Sequence, residues 1–192
     1  MVTPDIILRR MQRSKKESQC NEEKQVMNYH NITYPDMNNG SGLRVVLWLS
    51  GCKHHCKGCQ NPQTWNPESG IEFDELAEQE LFRELDKEYI SGITFSGGDP
   101  LMHPLQIYLL SDKIRKKYGN KKTIWIYTGY TWNEILTSRQ MTKAIVSANV
   151  VVDGEYKEEL RSPNLPWVGS SNQRVIDVQQ SLFKGEIVLW AN

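Results

Sequence analysis

The chain has 192 residues, of which 39% are hydrophobic and 24% charged, and its formal net charge is +0. This composition is typical of a single globular domain with its own core. It excludes the basic excess of a nucleic-acid-binding protein, and the apolar runs are too short to span a membrane. Because the N-terminus lacks the apolar core of a secretory signal, the expected compartment is the cytoplasm.

Lys, Arg and Glu dominate residues 1–26, where residues 6–8 and Met11 supply one weak apolar turn. Such a segment cannot bury enough apolar surface to fold alone. We therefore expect a charged, partly disordered N-terminal extension over residues 1–26, followed by one domain over residues 27–192.

Within the domain, strand patterns alternate with helix patterns. Residues 43–50 form an apolar, β-branched run that predicts a buried strand. Residues 74–89 have helical spacing, with Leu81 and Leu85 four positions apart. The other predicted strands cover residues 93–96, 123–128, 149–152, 175–178 and 186–190, and the other helices start at Pro104 or lie within residues 131–147. This order predicts an α/β fold, either a partial (β/α) barrel or an open parallel sheet.

Polar motifs follow four of the predicted strands, at residues 52–59, 96–100, 128–129 and 153–154. In parallel α/β folds the active site lies at the carboxyl ends of the strands. We therefore expect the four motifs to meet on one rim of the sheet.

Three of the four cysteines, Cys52, Cys56 and Cys59, lie in one loop with the spacing Cys-x3-Cys-x2-Cys, and Cys20 stands apart. This is a poor disulfide framework, because three clustered thiols leave one unpaired. Cysteine thiolates are the ligands of Fe–S clusters, and three of them leave one iron of a [4Fe–4S] cubane without a protein ligand. The loop therefore predicts a cluster with an open coordination position.

A zinc site that includes His54 or His55 is the alternative for this loop. Structural zinc modules usually bring their ligands in two separated pairs, and the sequence has no second pair of this kind. We therefore favour the cluster and expect both histidines to be solvated loop residues.

The cysteine loop after the first predicted strand resembles the signature of the radical S-adenosylmethionine superfamily. Over about residues 27–178, further segments resemble, in order, the activating enzymes of anaerobic (class III) ribonucleoside-triphosphate reductases. Gly58 stands where most of the superfamily has an aromatic residue, and these activating enzymes share that difference. The matching segments are residues 28–30, 49–52, 58–61, 64–65, 96–101, 125–130, 152–154 and 169–173.

The resemblance implies that S-adenosylmethionine chelates the open iron and that no side chain is itself catalytic. Asp99 would accept a charge-assisted hydrogen bond from the amino group of the cofactor. The cofactor contacts are expected at Gly58, Cys59, Gln60, Gly97, Gly98, Asp99, Thr128, Gly129 and Asp153. Simpler structural roles stay open for three of these motifs, namely a Gly-Gly-Asp-Pro turn, a Thr-Gly strand cap and an Asp-Gly turn.

The implied activity is reductive cleavage of S-adenosylmethionine to a 5′-deoxyadenosyl radical, which forms a glycyl radical in the large subunit of the reductase. A flavodoxin-like protein is the expected electron donor, and no nucleic acid or membrane is involved. One alternative is an activase of another glycyl-radical enzyme, such as pyruvate formate-lyase. A second is a non-enzymatic Fe–S electron carrier, although carriers normally use four cysteines per cluster. Two roles stay open for residues 169–173, namely closing the sheet and lining the groove for the partner.

Overall fold

The computed structural model describes residues 26–191, so the predicted extension lies outside the described residues except for its last position, Val26. None of the helices in the described part is long and apolar enough to cross a membrane. The strands are β1 (Asn28–Asp36), β2 (Arg44–Leu49), β3 (Ile71–Glu72), β4 (Gly92–Gly97), β5 (Thr123–Tyr127), β6 (Val150–Asp153) and β7 (Arg174–Asp177). The helices are α1 (Glu75–Leu85), α2 (Pro104–Tyr118), α3 (Trp132–Thr137), α4 (Arg139–Ile145) and α5 (Val178–Lys184).

The seven strands form one sheet in the order β3-β1-β2-β4-β5-β6-β7. The central strands β2, β4, β5 and β6 are parallel, whereas β1, β3 and β7 pair antiparallel with their neighbours. The predicted α/β class is therefore confirmed, and the parallel arrangement holds only for the middle of the sheet. The short connection between β1 and β2 permits only an antiparallel pair, because a parallel crossover needs a dozen or more residues.

Side chains alternate between the two faces of the sheet, as the two-residue period of a strand requires. On one face, Leu47, Phe95 and Ile126 join the large core that the helices cover. On the other face, Trp125 and its neighbours Val150 and Val152 form a smaller apolar cluster. Loops rather than helices cover this second face, which leaves room for a cavity beside the strand ends.

The predicted helix over residues 74–89 is confirmed, although α1 ends at Leu85. The Asp74 side chain caps its first turn by accepting a hydrogen bond from the Ala77 N–H. The predicted strand at residues 186–190 is wrong, because that segment forms only an isolated bridge between Leu189 and Ile176. The sequence patterns also missed β1, β3 and the seven-residue helix α5.

Candidate active site

The strand-end motifs meet at one cavity of about 670 Å³. Cys52, Cys56 and Cys59 reach it from the loop after β2, and Asp99 reaches it from the turn after β4. Of the other predicted cofactor residues, Gln60, Gly97, Gly98, Thr128 and Gly129 also line this cavity. The fourth motif, residues 153–154, reaches the cavity through Gly154, so the expected convergence of the four motifs on one rim is present.

Backbone hydrogen bonds hold the cysteine loop in its curved path. The Cys52 N–H donates to the carbonyl of Trp65 at 3.0 Å, and the Cys59 N–H donates to the carbonyl of Cys56 at 3.1 Å. The Asn61 N–H points at the sulfur of Cys59 at 3.4 Å. Burial raises the pKa of the Cys52 and Cys56 thiols, so in the metal-free protein they resist ionisation until a bound cation deprotonates them.

The donor set fits an Fe–S cluster better than a single metal ion. Within residues 26–191, no three His, Cys, Asp or Glu side chains converge closely enough to hold one ion. A cubane instead spreads its cysteine ligands over separate irons, so three partly buried thiols around one cavity suit it. Neither His54 nor His55 joins the three thiols as a fourth ligand of a single-ion site.

His54 is not the solvated loop residue expected from the sequence. Its side chain is 8% exposed, with Nε2 lying 2.9 Å from Asp99 Oδ2 and Nδ1 lying 2.9 Å from Glu155 Oε1. The hydrogen bond to Asp99 raises the pKa of His54, and burial opposes that shift. His55 does remain exposed, and its ring packs at a tilt of 32° against the Trp65 ring, with the ring centroids 4.7 Å apart.

Asp99 is the buried centre of the site, with 1% of its surface exposed. Its carboxylate accepts hydrogen bonds from the Leu101 and Gly129 N–H groups, the Thr128 hydroxyl and His54, each at 2.9 Å. The Asp99 side chain therefore joins the turn after β4, the end of β5 and the cysteine loop.

The two glycines before Asp99 are required by a close approach of backbone to backbone. A Cβ on Gly97 would lie 2.5 Å from the Leu49 nitrogen, and one on Gly98 would lie 2.4 Å from the Gly51 oxygen. Gly97 also has φ +100°, which side chains rarely adopt. The turn after β4 therefore packs directly on the chain that leads into the cysteine loop.

Comparison with known proteins identifies the family of this site. Residues 38–176 match the family described as a 4Fe-4S single cluster domain. Anaerobic ribonucleoside-triphosphate reductase-activating proteins match over most of the chain. The protein from Escherichia coli K12 is 40% identical over 154 residues, covering 78% of this chain and 97% of its own length.

The chain belongs to the family of anaerobic ribonucleoside-triphosphate reductase-activating proteins. The activating protein of Haemophilus influenzae is 38% identical over 151 residues, covering 77% of this chain and 96% of its own length. The activating protein of enterobacteria phage T4 is 40% identical over 151 residues, covering 78% of this chain and 93% of its own length. A [4Fe–4S] cluster domain is therefore present, and it includes the loop with Cys52, Cys56 and Cys59.

Two of the residues expected at the cofactor lie outside the lining of the main cavity in this member of the family. Gly58, at φ +73°, faces the Glu158 side chain, and a Cβ there would lie 2.9 Å from Glu158 Oε1. Asp153 lines a neighbouring cavity of about 470 Å³, and its carboxylate binds Arg174 and the Trp132 N–H.

The first and last residues of the segment 169–173, Gly169 and Gln173, line the main cavity. The Gln173 side chain holds the segment in place by accepting from the Gly169 N–H and donating to the Gly154 carbonyl, each at 2.9 Å. Five aromatic residues to which sequence reasoning assigned no cofactor contact also line the cavity. They are Trp48, Trp65, Tyr127, Tyr156 and Trp167. In a sequence, aromatic residues of the core and of a cavity wall look alike.

Proposed function

We propose that this protein activates an anaerobic ribonucleoside-triphosphate reductase by generating a glycyl radical in its large subunit. The observation that carries the proposal is the cavity shared by three cysteine thiols and the Gly97–Asp99 turn. Its relatives, 38–40% identical over most of the chain, are named as activating proteins of that reductase.

Cys52, Cys56 and Cys59 would hold a [4Fe–4S] cluster and leave one iron for S-adenosylmethionine. When bound and reduced, the cluster supplies the electron that cleaves S-adenosylmethionine to methionine and a 5′-deoxyadenosyl radical, which takes a hydrogen atom from a glycine. The contribution of the chain itself to this chemistry would be the three thiolate ligands that hold the cluster.

The strand ends would orient S-adenosylmethionine. We assign the methionine amino group to the Gly97–Asp99 turn and the methionine or ribose to Thr128 and Gly129. The backbone around Cys59 and Gln60 would contact the adenine, with Gly58 and Asp153 shaping the neighbouring rim. We further propose that the sheet is a partial barrel of the radical S-adenosylmethionine type, in which the cofactor would lie at the carboxyl ends of the parallel strands.

The partner's glycine must reach the cavity, because the reaction occurs on a protein backbone. Loops rather than helices cover this face of the sheet, and a loop segment that contributes Leu165, Trp167 and Gly169 forms part of the lining. We propose that the glycine-bearing loop of the reductase enters beside this segment. A flavodoxin-like protein would supply the electron, and the reducing cytoplasm would keep the three thiols available for the cluster.

The test is anaerobic reconstitution with iron and sulfide, followed by addition of reductant, S-adenosylmethionine and the reductase. We expect about four irons and four sulfides per chain, 5′-deoxyadenosine by chromatography, and a glycyl doublet by electron paramagnetic resonance. A cluster without 5′-deoxyadenosine would identify an electron carrier. A glycyl signal only with pyruvate formate-lyase would identify the other activase, and bound zinc without iron would overturn the cluster itself.

A further inference from the structure

His54 lies between two of the cluster ligands in sequence, yet its side chain turns away from solvent and binds two carboxylates. Its Nε2 is 2.9 Å from Asp99 Oδ2, and its Nδ1 is 2.9 Å from Glu155 Oε1. The ring also meets the Tyr130 ring edge-on at 4.8 Å. The cysteine loop is therefore fastened to Asp99, the residue assigned to the amino group of the cofactor.

Asp99 has its hydrogen-bonding capacity filled. A carboxylate offers about four lone-pair positions. Four groups donate to Asp99, namely His54, the Thr128 hydroxyl, and the N–H groups of Leu101 and Gly129. An amino group can therefore bind to this carboxylate only if one of the four donors leaves.

Three of these donors are fixed by the backbone. The Leu101 N–H belongs to the short 3₁₀ turn that Asp99 caps, and the Gly129 N–H belongs to the backbone directly after β5. The Thr128 hydroxyl is held from its other side, because it accepts a hydrogen bond from the Tyr130 N–H at 3.2 Å. The fourth donor, His54, is a side chain that has a second carboxylate partner.

The His54 side chain can keep its hydrogen bond to Glu155 after it releases Asp99. The Glu155 side chain is 54% exposed and can move together with the His54 ring, whereas the Asp99 side chain is 1% exposed and held by its other donors. Before the exchange, the hydrogen bond from His54 satisfies the buried Asp99 carboxylate. Without that partner, the unsatisfied carboxylate would destabilise the folded protein. The least costly exchange at Asp99 therefore involves His54.

We propose that His54 is a positioning residue that satisfies Asp99 until S-adenosylmethionine binds, and that the amino group of the cofactor then replaces the His54 N–H on Asp99. His54 stays on Glu155 after the exchange. The inference rests on the proposed function, in which Asp99 receives that amino group. The His54–Asp99 hydrogen bond therefore competes with the binding of the cofactor.

The test measures the dissociation constant of radiolabelled S-adenosylmethionine by equilibrium dialysis on the cluster-loaded protein without reductant. His54→Ala removes the competitor, so we expect the cofactor to bind at least threefold more tightly per assembled cluster. His54→Gln keeps an amide N–H near the position of Nε2 and should bind with wild-type affinity. His55→Ala removes the adjacent exposed imidazole, which has no bond to Asp99, and serves as the matched control.

Unchanged or weaker binding in His54→Ala, at full iron content, would overturn the exchange. If that variant does not assemble its cluster, a crystal structure of the wild-type protein with cluster and cofactor decides. We expect the His54 Nε2–Asp99 Oδ2 distance to exceed 3.5 Å there; a distance still near 2.9 Å would reject the inference. The proposed function fails separately, if the wild-type protein binds no S-adenosylmethionine or yields no 5′-deoxyadenosine on reduction.

Discussion

Arg174 on β7 binds the buried carboxylate of Asp153 at the end of β6, with nitrogen–oxygen distances of 3.0 and 2.5 Å. The same carboxylate accepts the Trp132 N–H at 2.7 Å, at the first residue of α3. Asp153 therefore joins an antiparallel edge strand and a helix terminus to the parallel centre of the sheet. The sequence offered two interpretations of this residue, a cofactor contact and a turn, and the contacts of the side chain favour a structural role.

Replacing Arg174 by Met should lower the stability of the folded protein and leave its affinity for S-adenosylmethionine largely unchanged. The buried Asp153 carboxylate would lose its ion-pair partner, and we expect the free energy of unfolding to fall by about 1.5–3 kcal/mol. Anaerobic urea denaturation followed by circular dichroism measures the change. Lys116→Ala breaks an exposed pair with Asp112 and should cost less than about 0.5 kcal/mol. A variant of normal stability that had lost its S-adenosylmethionine affinity would instead assign Asp153 to the cofactor.

Gly98→Ala should loosen the cysteine loop. The new Cβ would meet the Gly51 oxygen at 2.4 Å, and because that atom is backbone, the two segments must separate. We expect a loss of about 1–3 kcal/mol in unfolding free energy, together with less than half of the wild-type iron content. Iron analysis after anaerobic reconstitution and urea denaturation test the two effects.

Gly185→Ala is the matched control for this change. Gly185 ends α5 at φ +70° with open space around its Cα, so the substitution strains the backbone far from the cluster. It should cost about 1–2 kcal/mol and leave the iron content unchanged. Equal iron loss in both variants would mean that general instability, and not contact with the loop, controls cluster assembly.

Sequence patterns predicted the elements whose apolar residues repeat with a clear strand or helix period. The apolar run of β2 and the helical spacing of α2 each report a buried face, and the polar motifs mark where strands end. The strand β1 was missed because its sequence, NYHNITYPD, is largely polar and lies near the edge of the sheet. Helix α5 was missed because seven residues give too little periodicity to recognise.

The sequence predicted most of the polar residues of the site, but neither its aromatic lining nor the contacts between its side chains. The spacing of the cysteines identified the loop, because all three lie within eight consecutive residues of the sequence. The orientation of His54 could not be predicted, because it depends on Asp99 and on Glu155, which is 101 residues away. The same holds for Gly98, whose turn packs against the Gly51 backbone rather than only against a ligand.

Cys52→Ala, Cys56→Ala and Cys59→Ala should each abolish assembly of the cubane. Each change removes one of three thiolates, and the remaining two cannot hold the three non-catalytic irons. Iron and sulfide per chain and the visible absorption of the reconstituted protein measure the loss, while circular dichroism verifies folding. Cys20→Ala is the control and should retain the full cluster. A normally assembled cubane in any of the three loop variants would contradict the ligand assignment.

Asp99→Ala should retain the cluster and weaken S-adenosylmethionine binding about ten- to a hundredfold. Loss of a charge-assisted hydrogen bond costs about 1.5–3 kcal/mol, which corresponds to that range of affinity. Because Asp99 also caps the turn at Leu101 and binds Gly129, Asp99→Asn is the better-matched variant: it keeps one carbonyl acceptor and removes the charge. Equilibrium dialysis at matched iron content gives the affinity, and unchanged binding in both variants would show that the amino group is held elsewhere on the rim.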